Sequence, residues 1–199
     1  MPRGKRVIIE NGTFHITARG NNKRRLFQNQ HEYRKFKKLI LHYKEKWQFS
    51  LYHYALMNNH IHLLIKANQK TDISKMMQGL LLSYNRFYKK RWRYTGHLWQ
   101  GRFFSRVIPD EPYLITSGLY IDRNPVDAGI VNNPGDYPWT SFRHYALGET
   151  DPLVDTSPIY KRLGRTEEDR QQVYLEIMTI SIERAQTNKK CNEWVRKYL

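Results

Sequence analysis

Trp47-Gln48-Phe49-Ser50-Leu51-Tyr52-His53-Tyr54-Ala55-Leu56-Met57-Asn58-Asn59-His60-Ile61-His62-Leu63-Leu64-Ile65-Lys66 is the stretch on which the fold turns. β-branched and aromatic residues run over 47–57 and again over 60–66, and Asn58-Asn59 between them is a tight-turn signal, so the stretch reads as a β-hairpin. Side chains two apart on a strand share a face. His60 and His62 therefore project together, while Ile61, Leu63 and Ile65 make the opposite, apolar face.

On the N-terminal side, residues 12–19 alternate in polarity and read as a strand, closed by the turn signal Gly20-Asn21-Asn22. Residues 29–46 carry Tyr33, Phe36, Leu39, Ile40 and Tyr43 at helical spacing. Asn29 with Glu32 three residues on forms a capping-box pattern at its start. On the C-terminal side, Thr71 or Asp72 caps a helix whose stripe is Ile73, Met76, Met77, Leu80, Leu81, Tyr84, Phe87 and Tyr88. A strand is expected over 101–108. Asp110-Glu111-Pro112 then starts another helix, expected to end near Asn124 because Pro125 disfavours helix before it. The order β-α-β-β-α-β is that of the ferredoxin-like split βαβ. The expected class is α+β: a ferredoxin-like βαββαβ unit with a four-stranded antiparallel sheet, a further helix, and a mostly helical C-terminal extension. Within the extension, 166–185 reads as a helix with Val173, Tyr174, Ile177 and Ile180 as its stripe. The division is drawn at 1–148 and 149–199.

Charge is distributed unevenly. Residues 1–109 carry a net +19 and residues 110–199 a net −3, within a total of +16. Basic residues interleaved with aromatics over the first half point to a polyanion-binding face, and nucleic acid fits better than a membrane surface. No apolar run approaches the roughly 18 residues of a membrane span, and no secretory apolar core follows the N-terminus. With Cys191 as the one cysteine, an intrachain disulfide is excluded. A cytoplasmic, nucleoid-associated protein is expected.

Three groups of residues carry candidate chemistry. His60 and His62 offer two imidazoles on one strand face, a pair suited to a divalent metal, although the same spacing also fits two half-buried histidines. In the helix after Asp110, Tyr120 and Asn124 share a face with Tyr113 and Ser117; spacing alone does not choose Tyr120 over Tyr113. The run Gly96-His97-Leu98-Trp99-Gln100-Gly101-Arg102-Phe103 joins aromatics, an amide and a guanidinium, a composition for base stacking and phosphate contact, or for simple packing through Trp99.

Taken in order, five blocks resemble the REP-associated tyrosine transposases, relatives of the single-tyrosine transposases of the HUH nuclease class. They are Phe14-His15-Ile16-Thr17-Ala18-Arg19-Gly20-Asn21-Asn22, Met57-Asn58-Asn59-His60-Ile61-His62-Leu63-Leu64, Leu98-Trp99-Gln100-Gly101-Arg102-Phe103, Tyr120-Ile121-Asp122-Arg123-Asn124-Pro125-Val126 and Asp136-Tyr137-Pro138-Trp139-Thr140-Ser141. The resemblance implies Tyr120 as nucleophile, with His60, His62 and Asn124 as ligands of a divalent metal, Mg2+ or Mn2+. Asn58 stands where the family usually has Pro, a change of turn rather than of ligands. The implied activity is metal-dependent cleavage and rejoining of single-stranded DNA carrying palindromic hairpins, through a 5′-phosphotyrosine. Candidate DNA contacts are Arg19, Asn21, Lys23, Arg24, Arg86, Lys90, Arg91, Trp99, Gln100 and Arg102. Both a monomer and a homodimer fit, with Tyr120 serving its own site or a partner's.

Three other readings stand beside this one. A non-catalytic single-stranded DNA- or RNA-binding module would bind without a covalent adduct. A repressor derived from a transposase would keep the fold and lose the chemistry. A metal-dependent hydrolase would cleave without Tyr120.

Overall fold

The computed structural model describes residues 9–187; Cys191 lies outside them. Four strands, β1 (Thr13–Arg19), β2 (Ser50–Met57), β3 (His60–Lys66) and β4 (Phe104–Ile108), form one antiparallel sheet in the order β2-β3-β1-β4. Helices α1 (Gln30–Trp47) and α2 (Ile73–Trp92) cover one face, where Ile61, Leu63 and Ile65 meet Phe36, Ile40, Met77, Leu80 and Tyr84. This is the ferredoxin-like α+β architecture expected from the order of elements.

The other face carries α3 (Glu111–Asp127), whose Ile121 packs on Ala55, Met57, Leu64 and Ile108. After it come α4 (Phe142–Leu147), the single turn α5 (Pro158–Lys161) and α6 (Glu167–Gln186). Tyr145 of α4 and Tyr174, Ile177 and Met178 of α6 bury a second apolar cluster with Leu119 of α3. The chain after residue 148 also seals the outer edge of β2. Leu51 exchanges backbone bonds with Asp155, its N–H reaching the carboxylate and its carbonyl accepting from Asp155 N, both at 2.8 Å. Lys44 and Lys37 pair with Asp155 and Asp151 at 2.7 and 2.9 Å. One sheet edge is thus covered by the extension, while β4 forms the opposite edge.

Element boundaries differ from the sequence reading in three places. Trp47 closes the last turn of α1 instead of opening β2. Gln48 follows it in the left-handed conformation and returns its N–H to Lys44 O, so helix capping overrides the strand preference of the Trp47–Phe49 run. β4 begins at Phe104 and not at 101, because Gly101 takes φ +69° and turns the chain. α3 runs through Pro125 to Asp127; proline removes one helical donor, and the burial of Ile121, Asn124 and Pro125 against the sheet outweighs that loss. The capping box of α1 is also displaced. Asn29 accepts from Glu32 N at 3.4 Å, but the buried Glu32 carboxylate accepts from Gln28 N and from Trp92 Nε1. That last bond, at 2.7 Å, ties the start of α1 to the end of α2.

A β-bulge at 51–53 sets up the α3 interface. It lets Leu51, Tyr54 and Leu56 face α1 and α2, while both Tyr52 and His53 turn to the α3 face. There His53 lies against Gly118, where a Cβ would come within 2.6 Å of its Nε2. Gly118→Ala is expected to destabilise the fold by about 1–3 kcal/mol through overpacking. Denaturant unfolding measures it, and an unchanged midpoint would show that His53 moves aside freely.

Candidate active site

Strand direction gathers the site at one end of the sheet. The C-terminal end of β1 and the N-terminal ends of β3 and β4 lie together, since Arg19 pairs with His60 and Thr17 with both His62 and Phe104. The loops at that end are stitched by backbone bonds: Gly20 N to Asn59 O, Leu26 N to Asn58 O, Asn21 N to Leu98 O and Gln100 N to Arg19 O, all 2.7–2.8 Å. On the α3 face of this end lies a pocket of about 560 Å³. His60 and His62 line it together with Arg19 and, from α3, with Tyr113, Ser117 and Tyr120.

The two histidines share a face, as strand geometry requires, with ring centroids 4.9 Å apart. His60 Nδ1 lies 2.7 Å from Asn59 Oδ1, an acceptor, so Nδ1 carries the proton and Nε2 keeps a lone pair. His62 Nδ1 is 2.9 Å from Nε2 of His15, one strand across. When His62 donates in that bond, its own Nε2 is left free. Burial holds the His60 imidazole below its ordinary value, as does Arg19, while a hydrogen bond with Asn124 opposes them. Burial pushes His62 well below the usual range, with the neighbouring His15 and His60 adding to it. His15 falls to about 4 through burial and the Arg106 guanidinium. Three neutral imidazoles thus adjoin one another, the form in which histidine binds metal.

Tyr120 is 42% exposed and stands over this cluster, its ring centroid 5.8 Å from that of His62 and 6.0 Å from that of His15. Geometry separates it from Tyr113 where spacing does not. The Tyr113 hydroxyl accepts a 2.7 Å bond from Arg106 Nη1, and the Tyr120 hydroxyl has no hydrogen-bond partner among the described residues. Asn124 is buried one turn on. Its side chain lies beside His60, and its Nδ2 donates to Tyr120 O at 3.0 Å.

The residues fit a divalent ion: two neutral imidazoles with lone pairs, an adjoining amide, and an open pocket above. Among the described residues no group of three or more His, Cys, Asp or Glu side chains could hold a metal ion, the His15, His60 and His62 cluster included. Such a site would rely on the Asn124 amide and on oxygens from outside the chain to complete its shell.

Of the proposed DNA contacts, Arg19 lines this pocket. Asn21, Lys23 and Arg24 sit in the adjoining loop, with Arg24 over the Tyr94 ring at 4.2 Å. Arg86, Lys90 and Arg91 are exposed on the last turns of α2. Gln100 and Arg102 are exposed on the loop before β4. Trp99 is half-buried, with its indole N–H committed to Leu81 O at 3.0 Å, so it is a packing anchor with part of its ring uncovered. Sequence reasoning missed His15, Thr17, Phe104 and Arg106, which share the pocket. The signal was the alternation of β1, which puts His15 and Thr17 on one face two residues apart; naming the neighbour of His62 needed the β1–β3 register.

Known proteins share this fold. The family model for IS200-like transposases matches residues 8–124, more than half of the chain. A curated protein of Haemophilus influenzae described as a REP-associated tyrosine transposase is 28% identical over 120 residues, covering 54% of this chain and 67% of that one. Among solved structures, a REP-associated tyrosine transposase bound to a REP hairpin superposes with a TM-score of 0.65 at 20% identity, over 80% of this chain and 93% of the other. No helix among the described residues is long and apolar enough to cross a membrane. The chain belongs to the IS200-like transposase family.

Proposed function

We propose that this transposase cuts and rejoins single-stranded DNA bearing palindromic hairpins, using Tyr120 as nucleophile and a divalent cation, Mg2+ or Mn2+, held by His60, His62 and Asn124. The observation that carries the reading is the position of the Tyr120 ring over the His62–His15 pair, in a pocket that also holds Arg19 and Arg106. Support for a hairpin substrate comes from membership of a transposase family and from the similar transposase solved with a REP hairpin.

The Tyr120 oxygen attacks a DNA phosphorus as the P–O3′ bond breaks. A 5′-phosphotyrosine forms, and the leaving 3′ oxygen ends with the proton that the tyrosine gives up. Attack by a 3′-OH on the same phosphorus reverses the step and joins strands, so the linkage conserves the bond energy without ATP. Arg19 and Arg106 hold the phosphate in the pocket. A bound divalent cation supplies polarisation of a phosphoryl oxygen and charge relief on the leaving one. His15 fixes the orientation of the His62 ring.

Incubating the protein with a hairpin oligonucleotide and Mn2+ is expected to give a covalent protein–DNA adduct on a denaturing gel. The His60→Ala, His62→Ala protein is expected to give none. Metal-dependent adduct at full yield in that double variant would sink the ligand assignment. His15→Ala is expected to weaken Mn2+ binding roughly 10- to 100-fold, as loss of a ligand-orienting partner does. Calorimetric titration reads it without DNA, and unchanged affinity would show that His15 does not orient His62.

A further inference from the structure

A second groove lies across β4 from the active site. A pocket of about 410 Å³ is walled by Gln78, Leu82 and Asn85 of α2 and by Trp99, Arg102 and Phe103 of the loop before β4. A neighbouring hollow shares Asn85 and Trp99 and reaches Asn21 and His97. Neither includes His60, His62 or Tyr120. β4 is the edge strand, and its first residues face opposite ways. Phe104, 63% exposed, lines the active-site pocket, while the preceding Phe103 lines the groove. The two concavities therefore open on either side of the chain at 103–104, and the loop before β4 is tied to Arg19 of the active-site pocket by the Gln100 N to Arg19 O bond.

The groove has the composition of a base pocket. Leu82 leaves 44% of its surface uncovered in a groove that Gln78 and Asn85 of the same helix also line, and part of the Trp99 ring, another lining residue, is uncovered. The Oδ1 of Asn85 is buried without a hydrogen-bond partner, a state that costs stability in a helix with no other evident need for it. No acidic side chain lines either hollow, and the Arg102 guanidinium stands at the rim. Apolar and aromatic walls suit the faces of a nucleobase, side-chain amides suit its edge, and an arginine suits its phosphate.

We propose that this groove takes one unstacked base of the DNA strand whose neighbouring phosphate lies at Tyr120, with the backbone crossing the free edge of β4 beside Arg102 and Phe104. The inference rests on the reading of the chain as a single-strand DNA enzyme. It makes Asn85 and Gln78 specificity-determining residues, separate from those that cut.

The test is selection by binding from a library of hairpin oligonucleotides with a randomised single-stranded flank. The wild-type protein is expected to enrich one base at one flank position by roughly 5- to 100-fold, the scale of one amide–base contact. Asn85→Leu and the exposed, fold-tolerant Leu82→Ala are each expected to lose the preference at that position and to keep those elsewhere. Selection of the wild-type flank by both variants overturns the proposal, as does simultaneous loss of preference at every position by both. Selection reads binding and not cleavage. Absence of the Tyr120 adduct would therefore sink the proposed chemistry while a single-position effect still upheld the base pocket.

Discussion

Asp122→Ala is expected to lower folding stability by about 3–5 kcal/mol, the scale of removing one partner from a buried charged network. Asp122 has no exposed surface. Its carboxylate accepts from Ser141 Oγ at 2.6 Å, from the Tyr174 hydroxyl at 2.7 Å, and from His53 Nδ1 at 3.1 Å. These donors come from the start of α4, from α6 and from the bulged part of β2, so one side chain of α3 joins the sheet to the extension. Alanine would leave Ser141 Oγ and His53 Nδ1 only long bonds of 3.4 Å, to Tyr54 O and to Ser141 Oγ, and would leave the Tyr174 hydroxyl buried without an acceptor, at about 1–3 kcal/mol before relaxation. Against a typical total of about 5–15 kcal/mol, that is a large share. Urea unfolding measures it. A midpoint within error of the wild type would show that water or a rearranged Tyr174 replaces the carboxylate, and that α3 is held by apolar contacts alone.

The consequence reaches the candidate active site because Asp122 lies two residues from both Tyr120 and Asn124. The buried side of α3, with Leu119, Ile121 and Asp122, is anchored in the sheet and in the extension. The opposite side then holds Tyr120 out over the histidines. Rigid support of this kind is what the proposed role of Tyr120 requires.

The hairpin at 50–66 was legible because its two strands are bounded by an unmistakable turn and because period-2 geometry fixes the shared face of His60 and His62. The ferredoxin-like order followed from helix and strand periodicities that tertiary packing reinforces. What was not legible depends on distant partners. The bulge that turns His53 towards α3 leaves no mark in the alternation of β2, since Tyr52 and Tyr54 both suit either face. The persistence of α3 beyond Pro125 is decided by burial and not by local preference. His15 joins the candidate site only through the register of β1 on β3, and what favours Tyr120 over Tyr113 for the proposed chemistry is Arg106, which occupies the Tyr113 hydroxyl. Nothing local in the sequence marks Asp122, because its three donors come from three other parts of the chain.

Tyr120→Phe is expected to leave the fold intact, because the lost hydroxyl makes no hydrogen bond among the described residues and belongs to a residue open to solvent. Hairpin binding should persist, since Arg19, Arg106 and the basic loops are untouched. Covalent chemistry should fall by at least about 1000-fold, as it does when a nucleophile is removed from a site that otherwise remains assembled. Tyr113→Phe is the matched control. It removes a hydroxyl from the same helix and the same pocket, but one already held by Arg106 at 2.7 Å, so adduct formation is expected to survive. The deciding measurement is therefore the yield of protein–DNA adduct on a denaturing gel, with Mn2+ and one hairpin oligonucleotide, for the wild type, Tyr113→Phe and Tyr120→Phe side by side. The account predicts adduct in the first two and none in the third; adduct at wild-type yield in Tyr120→Phe would contradict it.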